Sequence, residues 1–260
     1  MSLVGKTFAS YFKDLFHINN SNSGVDATTR NVKDGLGNST SISLSDDVLT
    51  VKPDKHDTTG SMLVKTQGGS NILAVDTTNS LVKVGSGQVN ATTQYAYFGI
   101  ENTESSSFLA NVHYAIPFSK NSITMPLSIG TGGDPDTTYT ISTTASDFVN
   151  TFWYVPDAIT IDAVYWWHAA DAATGDTTRG HLMSYAIDSG GSATSGDLSD
   201  GTVLADGADI TNAGYEQAYY QSMTIQSANV SAGRVIIFAF RSDSVNSDFS
   251  HSVTVKYHIQ

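Results

Sequence analysis

The stretch Ser252-Val-Thr-Val-Lys-Tyr-His-Ile259 decides the fold class. Val253, Val255, Tyr257 and Ile259 alternate with Ser252, Thr254, Lys256 and His258, the period-2 pattern of a strand with one buried and one wet face. Just upstream, Val235 to Phe240 is apolar at every position, which predicts a central strand covered on both sides, with a neighbouring subunit as one candidate for the second cover. Working outward, β-like runs recur at 97–100, 108–116, 123–129, 139–143, 152–155, 159–168, 181–187 and 217–225, separated by Gly-, Asp- and Ser-rich turns. So many strands in residues 91–260 predict a two-sheet β-sandwich of jelly-roll type.

Composition supports an all-β chain. Glu occurs only at Glu101, Glu104 and Glu216, while Gly, Ser, Thr, Asn and Asp abound, a balance that starves helices and supplies turns. There is no cysteine, which excludes disulfides, thiolate metal sites and a cysteine nucleophile. Neither a signal-like apolar run at the N-terminus nor a membrane-length apolar stretch is visible, so a protein made in the cytoplasm, with no membrane partner, is expected. The net charge of −12 argues against a nucleic-acid partner, since phosphate binding needs clustered Lys and Arg. That charge is uneven. Residues 1–90 hold eight Lys/Arg against eight Asp/Glu, and residues 91–260 hold five against seventeen. A neutral front that docks and an acidic back that faces water follow from this split.

The front third divides again. Phe8, Tyr11, Phe12, Leu15 and Phe16 fall at i, i+3, i+4, i+7 and i+8, which predicts an amphipathic anchor helix and tether over residues 1–22. Its face would dock on a partner or on copies of itself; with only Lys6 and Lys13 nearby it lacks the basic rim of a membrane-surface helix. Over residues 23–90 short β-runs alternate with turns such as Asp34-Gly-Leu-Gly-Asn38, Gly68-Gly-Ser-Asn71 and Asp76-Thr-Thr-Asn79, predicting a stalk or collar of hairpins. No Phe, Tyr or Trp lies between Val25 and Gly87, too few large side chains to close a monomeric core, so burial against copies of the same chain is expected. Gly85 to Gln94 reads as a linker.

Met62-Leu-Val-Lys-Thr-Gln-Gly-Gly-Ser-Asn-Ile-Leu-Ala-Val-Asp-Thr-Thr-Asn-Ser-Leu-Val-Lys-Val-Gly85 resembles a repeat of phage fibres and trimeric adhesins: strand, Gly-rich turn, "ILxVD", polar turn, "VxVG". The stretch from Gly5-Lys-Thr-Phe through Gly24-Val-Asp-Ala-Thr-Thr-Arg30 to Ser43-Leu-Ser-Asp-Asp47 is similar to the N-terminal part of virion proteins of tailed phages. The resemblance covers roughly the first third of the chain. It implies a homotrimer anchored by its N-terminus to other virion proteins of capsid or tail.

Motifs of catalysis are absent: there is no Gly-x-Ser-x-Gly elbow and no His-Glu-x-x-His, and the seven histidines are scattered, with His168 and His181 read as strand-end residues. A glycan-cleaving pair of carboxylates could be drawn from the many Asp, but most of these sit in Gly/Ser/Thr-rich loops as ordinary turn residues. Asp171, Asp176, Asp197, Asp200, Asp206 and Asp209 are the candidates for Ca²⁺ if those loops converge; otherwise no cofactor is expected. Trp153 and Trp166 are the candidates for a ligand or subunit contact. Alternation from Ile159 and Ile161 puts Tyr165 and Trp167 in the core and Trp166 with Val164 on the opposite face.

These readings converge on a non-enzymatic virion component, a capsid decoration or short fibre that projects an acidic sandwich. The alternatives are a tail-fibre receptor-binding protein and a carbohydrate-binding module for host surface glycans.

Overall fold

The computed structural model describes residues 13, 15–21, 23–85, 87, 89–100, 108–119, 127–130, 149–171, 174–187, 198–213, 217–243 and 248–260. The described chain is all-β, with no α-helix, and it divides into two compact units, Met1–Thr92 and Thr93–Gln260. Phe8, Tyr11 and Phe12 of the expected anchor helix lie outside the described residues. Leu15 and Phe16 are exposed and not helical, and His17–Ile18 is already a strand, so a helix reaching Ile18 is corrected. Cross-strand pairing of Ile18 with Val32 takes the place of the helical register there.

The first unit holds two antiparallel meanders. β1 (His17–Ile18), β2 (Arg30–Lys33), β3 (Ser39–Leu44) and β4 (Leu49–Val51) pair in chain order, as do β5 (Met62–Lys65), β6 (Asn71–Asp76), β7 (Leu81–Val84) and β8 (Val89–Asn90). The β5–β6 turn needs Gly69, whose φ of 88° lies in the left-handed region where a side chain is strained. Thr66 closes that turn: its carbonyl accepts from Gly69 N at 3.0 Å and its hydroxyl from Ser70 N at 3.1 Å. The β6–β7 turn is closed by Asp76, which is fully buried. Its carboxylate accepts from Lys83 Nζ at 2.7 Å and Asn79 Nδ2 at 2.9 Å, and these bonds hold its pKa down to about 2.

The second unit comprises β9 (Thr93–Ile100), β10 (Val112–Ala115), β11 (Leu127–Gly130), β12 (Trp153–Val155), β13 (Ile159–Asp171), β14 (Thr177–Ile187), β15 (Leu198–Asp206), β16 (Ile210–Thr211), β17 (Gln217–Ser222), β18 (Thr224–Ile225), β19 (Asn229–Val230), β20 (Arg234–Ser242) and β21 (Asp248–Ile259). One sheet runs β17-β13-β21-β9, and the other runs β11-β10-β20-β14-β15-β18. The first strand therefore pairs the last, β9 with β21. The same nesting pairs β10 with β20, β13 with β17, and β14 with β15, all antiparallel. Such a doubled ribbon wrapped into two sheets has the connectivity of a jelly roll. The expected strand at 139–143 lies outside the described residues, and the run at 217–225 splits at Met223, where the chain passes from one sheet to the other.

Side chains from both sheets meet in a core that includes Phe98, Ile116, Trp166, Leu182, Phe238, Phe240, Phe249 and Val253, all fully buried. β20 is central, between β10 and β14, and is apolar on both faces as its sequence predicts. Ile236, Phe238 and Phe240 point into the sandwich. Val235, Ile237 and Ala239 join Ala115, Ile129, Met183, Tyr185 and Leu198 in a second cluster. That second face is buried within the single chain, so a neighbouring subunit is not needed to cover it.

Core packing leaves no room for a side chain at Gly180. A Cβ on Gly180 would stand 2.7 Å from Phe238 Cζ and 3.2 Å from Trp166 Cδ2, against rings that are themselves fully buried. Gly180→Ala is expected to destabilise the sandwich by about 1–3 kcal/mol through overpacking. Chemical denaturation followed by tryptophan fluorescence measures this, since Trp153, Trp166 and Trp167 all lie in the second unit.

Candidate functional site

β13 does not alternate uniformly. Against β21 the register runs Ile161↔Tyr257 and then Ala163↔Lys256, so Asp162 is an extra residue in a β-bulge. Its carboxylate is 2.9 Å from His258 Nδ1. Beyond the bulge the inward set shifts by one: Ile159 and Ile161 are buried before it, and Val164, Trp166, His168 and Ala170 after it. Trp166 is 0% exposed and Trp167 52% exposed, the reverse of the expectation from unbroken alternation. Trp166 is therefore a core residue with no exposed surface to offer a ligand or a subunit. Trp153 is likewise buried, stacked on Phe118 at 5.9 Å and tilted against Tyr257 at 4.8 Å at one margin of the core.

The bulge builds the outer face of the β17-β13-β21-β9 sheet. Register places Ala163, Lys256 and Tyr95 in one row; Ser222, Tyr165, Thr254 and Tyr97 in the next; then Tyr220, Trp167, Ser252 and Gly99; then Ala218, Ala169 and Ser250. Tyr220, Tyr95 and Tyr97 are exposed, as Trp167 is. The Trp167 and Tyr220 rings are 5.1 Å apart at 49°, and Tyr165 and Tyr220 are 6.4 Å apart at 17°. Directly opposed strand residues hold such rings at fixed spacing. Across the four rows Lys256 is the only charged side chain, and no Leu, Ile, Val or Met is present. Sequence reasoning missed this face; the signal available was the Asp162 interruption between two apolar sets that do not share a period.

Directly behind Trp167 lies a buried polar chain. Trp166 Nε1 donates to His251 Nδ1 at 3.2 Å, the His251 and His168 rings stack at 5.2 Å, and His168 Nε2 is 3.0 Å from Asn212 Oδ1. Asn212 in turn donates to the Asp176 carbonyl at 3.0 Å. Burial lowers the His168 pKa to about 4 against the opposing pull of the Asn212 hydrogen bond. Burial, followed by repulsion from His168, takes His251 well below its ordinary value. Both rings are neutral at pH 7. They lie inside the core; His168 sits within strand β13 facing the sandwich, and His181 within strand β14 on the face of the second cluster, both buried and neither at a strand end.

The aspartates among the described residues form no metal-suited cluster. Asp200 and Asp206, expected in loops, ride on strand β15, where Leu204 and Ala205 are fully buried. Asp206 accepts from Arg179 Nε at 3.1 Å and Nη2 at 2.5 Å, and stands 3.1 Å from His181 Nδ1. Burial works to raise the Asp206 pKa, but these bonds and the Arg179 charge outweigh it and hold it below the ordinary value. Asp209 is 3.7 Å from Arg179, and Asp200 is 3.0 Å from Arg234 Nη1. Asp176 contributes its backbone carbonyl to Asn212, and Asp197 and the Asp171 side chain lie outside the described residues. Guanidinium groups neutralise these carboxylates where a cation would have to, and the described residues contain no cluster of three or more His, Asp or Glu side chains suited to a metal.

Neither a known protein-family model nor a curated protein matches the chain. Among solved structures, similarity extends to the N-terminal CBM22-1–GH10 modules of endo-1,4-β-D-xylanase 10B from Clostridium thermocellum, complexed with xylohexaose. The identity is 11%, the match covers 65% of this chain and 25% of that one, and the TM-score is 0.22. At that score it carries no weight for fold or function.

Proposed function

We propose that this chain is a non-enzymatic structural protein that assembles with copies of itself through its first unit and displays an acidic β-sandwich. The supporting observation is a bare apolar sheet face. Opposed pairs Val64↔Leu73, Met62↔Val75, Leu73↔Val84, Val75↔Val82 and Val84↔Val89 put seven aliphatic side chains on one side of the β5–β8 sheet. Met62, Val64, Val82, Val84 and Val89 are each 40–45% exposed. Among the described residues of the first unit only Ala74 and Asp76 are buried. The β3–β4 pairs Ile42↔Val51 and Leu44↔Leu49 repeat the pattern, with Ser43 opposite Thr50 on the other face. Covering the exposed half of such a side chain contributes about 1 kcal/mol, so sealing one face stabilises each copy by roughly 5 kcal/mol.

With the resemblance to fibre and adhesin repeats, the assembly is a homotrimer, and its setting is a tailed-phage virion, as capsid decoration or short fibre. The N-terminal apolar set, of which Leu15 and Phe16 are exposed here, docks it on the particle. Sedimentation equilibrium on the full chain is expected to give the trimer mass. Placing carboxylates on the face with Val82→Asp and Val84→Asp together is expected to release monomers whose sandwich still melts cooperatively. A wild-type monomer, or a double variant that stays trimeric, would overturn the assembly reading. Deleting residues 2–18 tests the docking: a soluble oligomer that no longer enters particles is the expected result.

A further inference from the structure

Two exposed hydrophobic surfaces among the described residues differ in chemistry. The β5–β8 face is aliphatic and suits burial against a copy of itself. Four rows on the outer face of the β17-β13-β21-β9 sheet set Tyr220, Trp167, Tyr165, Tyr97 and Tyr95 among Ser, Thr, Ala and Gly, with Lys256 as their one charged residue. We propose that this face is a binding platform for an uncharged polysaccharide, with Trp167, Tyr165 and Tyr220 as the stacking residues.

The match is chemical. A pyranose ring presents C–H faces, which pack on the π faces of Trp and Tyr, and equatorial hydroxyls, which exchange hydrogen bonds with Tyr, Ser and Thr hydroxyls. Trp167 and Tyr220 stand side by side on hydrogen-bonded strands, so little ordering is left for binding to supply. The surface lies along an open sheet, which suits a polymer lying across it better than an enclosed small molecule. Charge narrows the class further. Residues 91–260 hold five Lys/Arg against seventeen Asp/Glu, and the platform itself has Lys256 alone. An acidic unit of this kind repels polyanionic glycans, and a neutral polymer lying across these four rows covers no carboxylate. The inference stands on the sandwich alone and does not depend on the assembly reading.

Affinity electrophoresis of the full chain tests it, in native gels cast with hydroxyethylcellulose, galactomannan or dextran, and with hyaluronate as the acidic control. Retardation by at least one neutral polymer is expected, with none by hyaluronate, and binding should shift the emission of the exposed Trp167 to the blue. Trp167→Ala and Tyr220→Ala should each weaken binding at least about tenfold with unchanged thermal melts, both side chains being half exposed. Absence of retardation in every neutral gel overturns the proposal. Wild-type binding by both variants also overturns it. A third contrary result is a fall in oligomer mass for Trp167→Ala without glycan binding, which would make the face a contact between copies.

Discussion

Trp166→Ala is expected to lower the unfolding free energy of the sandwich by about 3–5 kcal/mol, and Trp167→Ala by less than about 0.5 kcal/mol. The two residues are neighbours with the same side chain, so position alone separates them. Trp166 is 0% exposed, packs on Phe238 with ring centroids 5.9 Å apart, and donates its indole N–H to His251. Its removal opens a cavity between close-packed sheets and strips His251 Nδ1 of its donor, two costs that add. Trp167 has water on its outer side and touches Tyr220. Denaturant midpoints of the two variants, read by the fluorescence of the remaining tryptophans, decide the matter. Equal losses, or a larger loss for Trp167→Ala, would mean that the strand does not shift register at Asp162.

That comparison also shows where sequence reasoning reaches and where it stops. The alternation of Ser252–Ile259 and the doubly apolar Val235–Phe240 are local signals, and both runs are strands: Val253 and Val255 are buried, Tyr257 is half-buried and Ile259 at the strand end is exposed, while β20 is covered on both faces. The poverty of the first unit in large side chains was equally legible, because no arrangement of residues between Val25 and Gly87 can supply rings that are not there. A β-bulge is different. One inserted residue at Asp162 reverses the face of everything after it, and nothing in Tyr165-Trp-Trp167 itself says which tryptophan turns inward. The pairing partner β21 imposes that choice from nearly a hundred residues away. The same limit explains β15, where Asp200 and Asp206 flank a buried Leu204-Ala205: turn-forming composition at the ends concealed a strand whose carboxylates are taken up by Arg234 and Arg179. Arginines on β20 and β14 that meet a carboxylate only in the folded sheet leave no mark in sequence spacing.

Acid should destabilise the sandwich well before its carboxylates titrate. His168 has its pKa lowered from 6.5 to about 4 by burial, so as pH falls through 6.5 the unfolded chain binds a proton that the folded chain refuses until about pH 4. Stability contributed by the neutral ring is therefore complete above pH 6.5 and is lost progressively as pH falls from 6.5 to 4. At about 1.4 kcal/mol per pH unit, His168 alone accounts for roughly 3 kcal/mol over that window. His251 shifts in the same direction and adds to the loss. The groups packed on this pair are Trp166, Tyr219, Phe240 and Phe249, with Asn212 as the polar contact, so no carboxylate among them rewards protonation. Asp206, held below the ordinary carboxylate value, loses its contribution only at lower pH, which separates the two effects. Urea midpoints at pH 7.5 and 4.5 should therefore differ strongly for the native chain. His168→Gln retains an amide donor for Asn212 but cannot titrate, and the pH dependence should shrink with it. An unchanged difference between the two pH values in that variant would show that the acid sensitivity arises elsewhere in the fold.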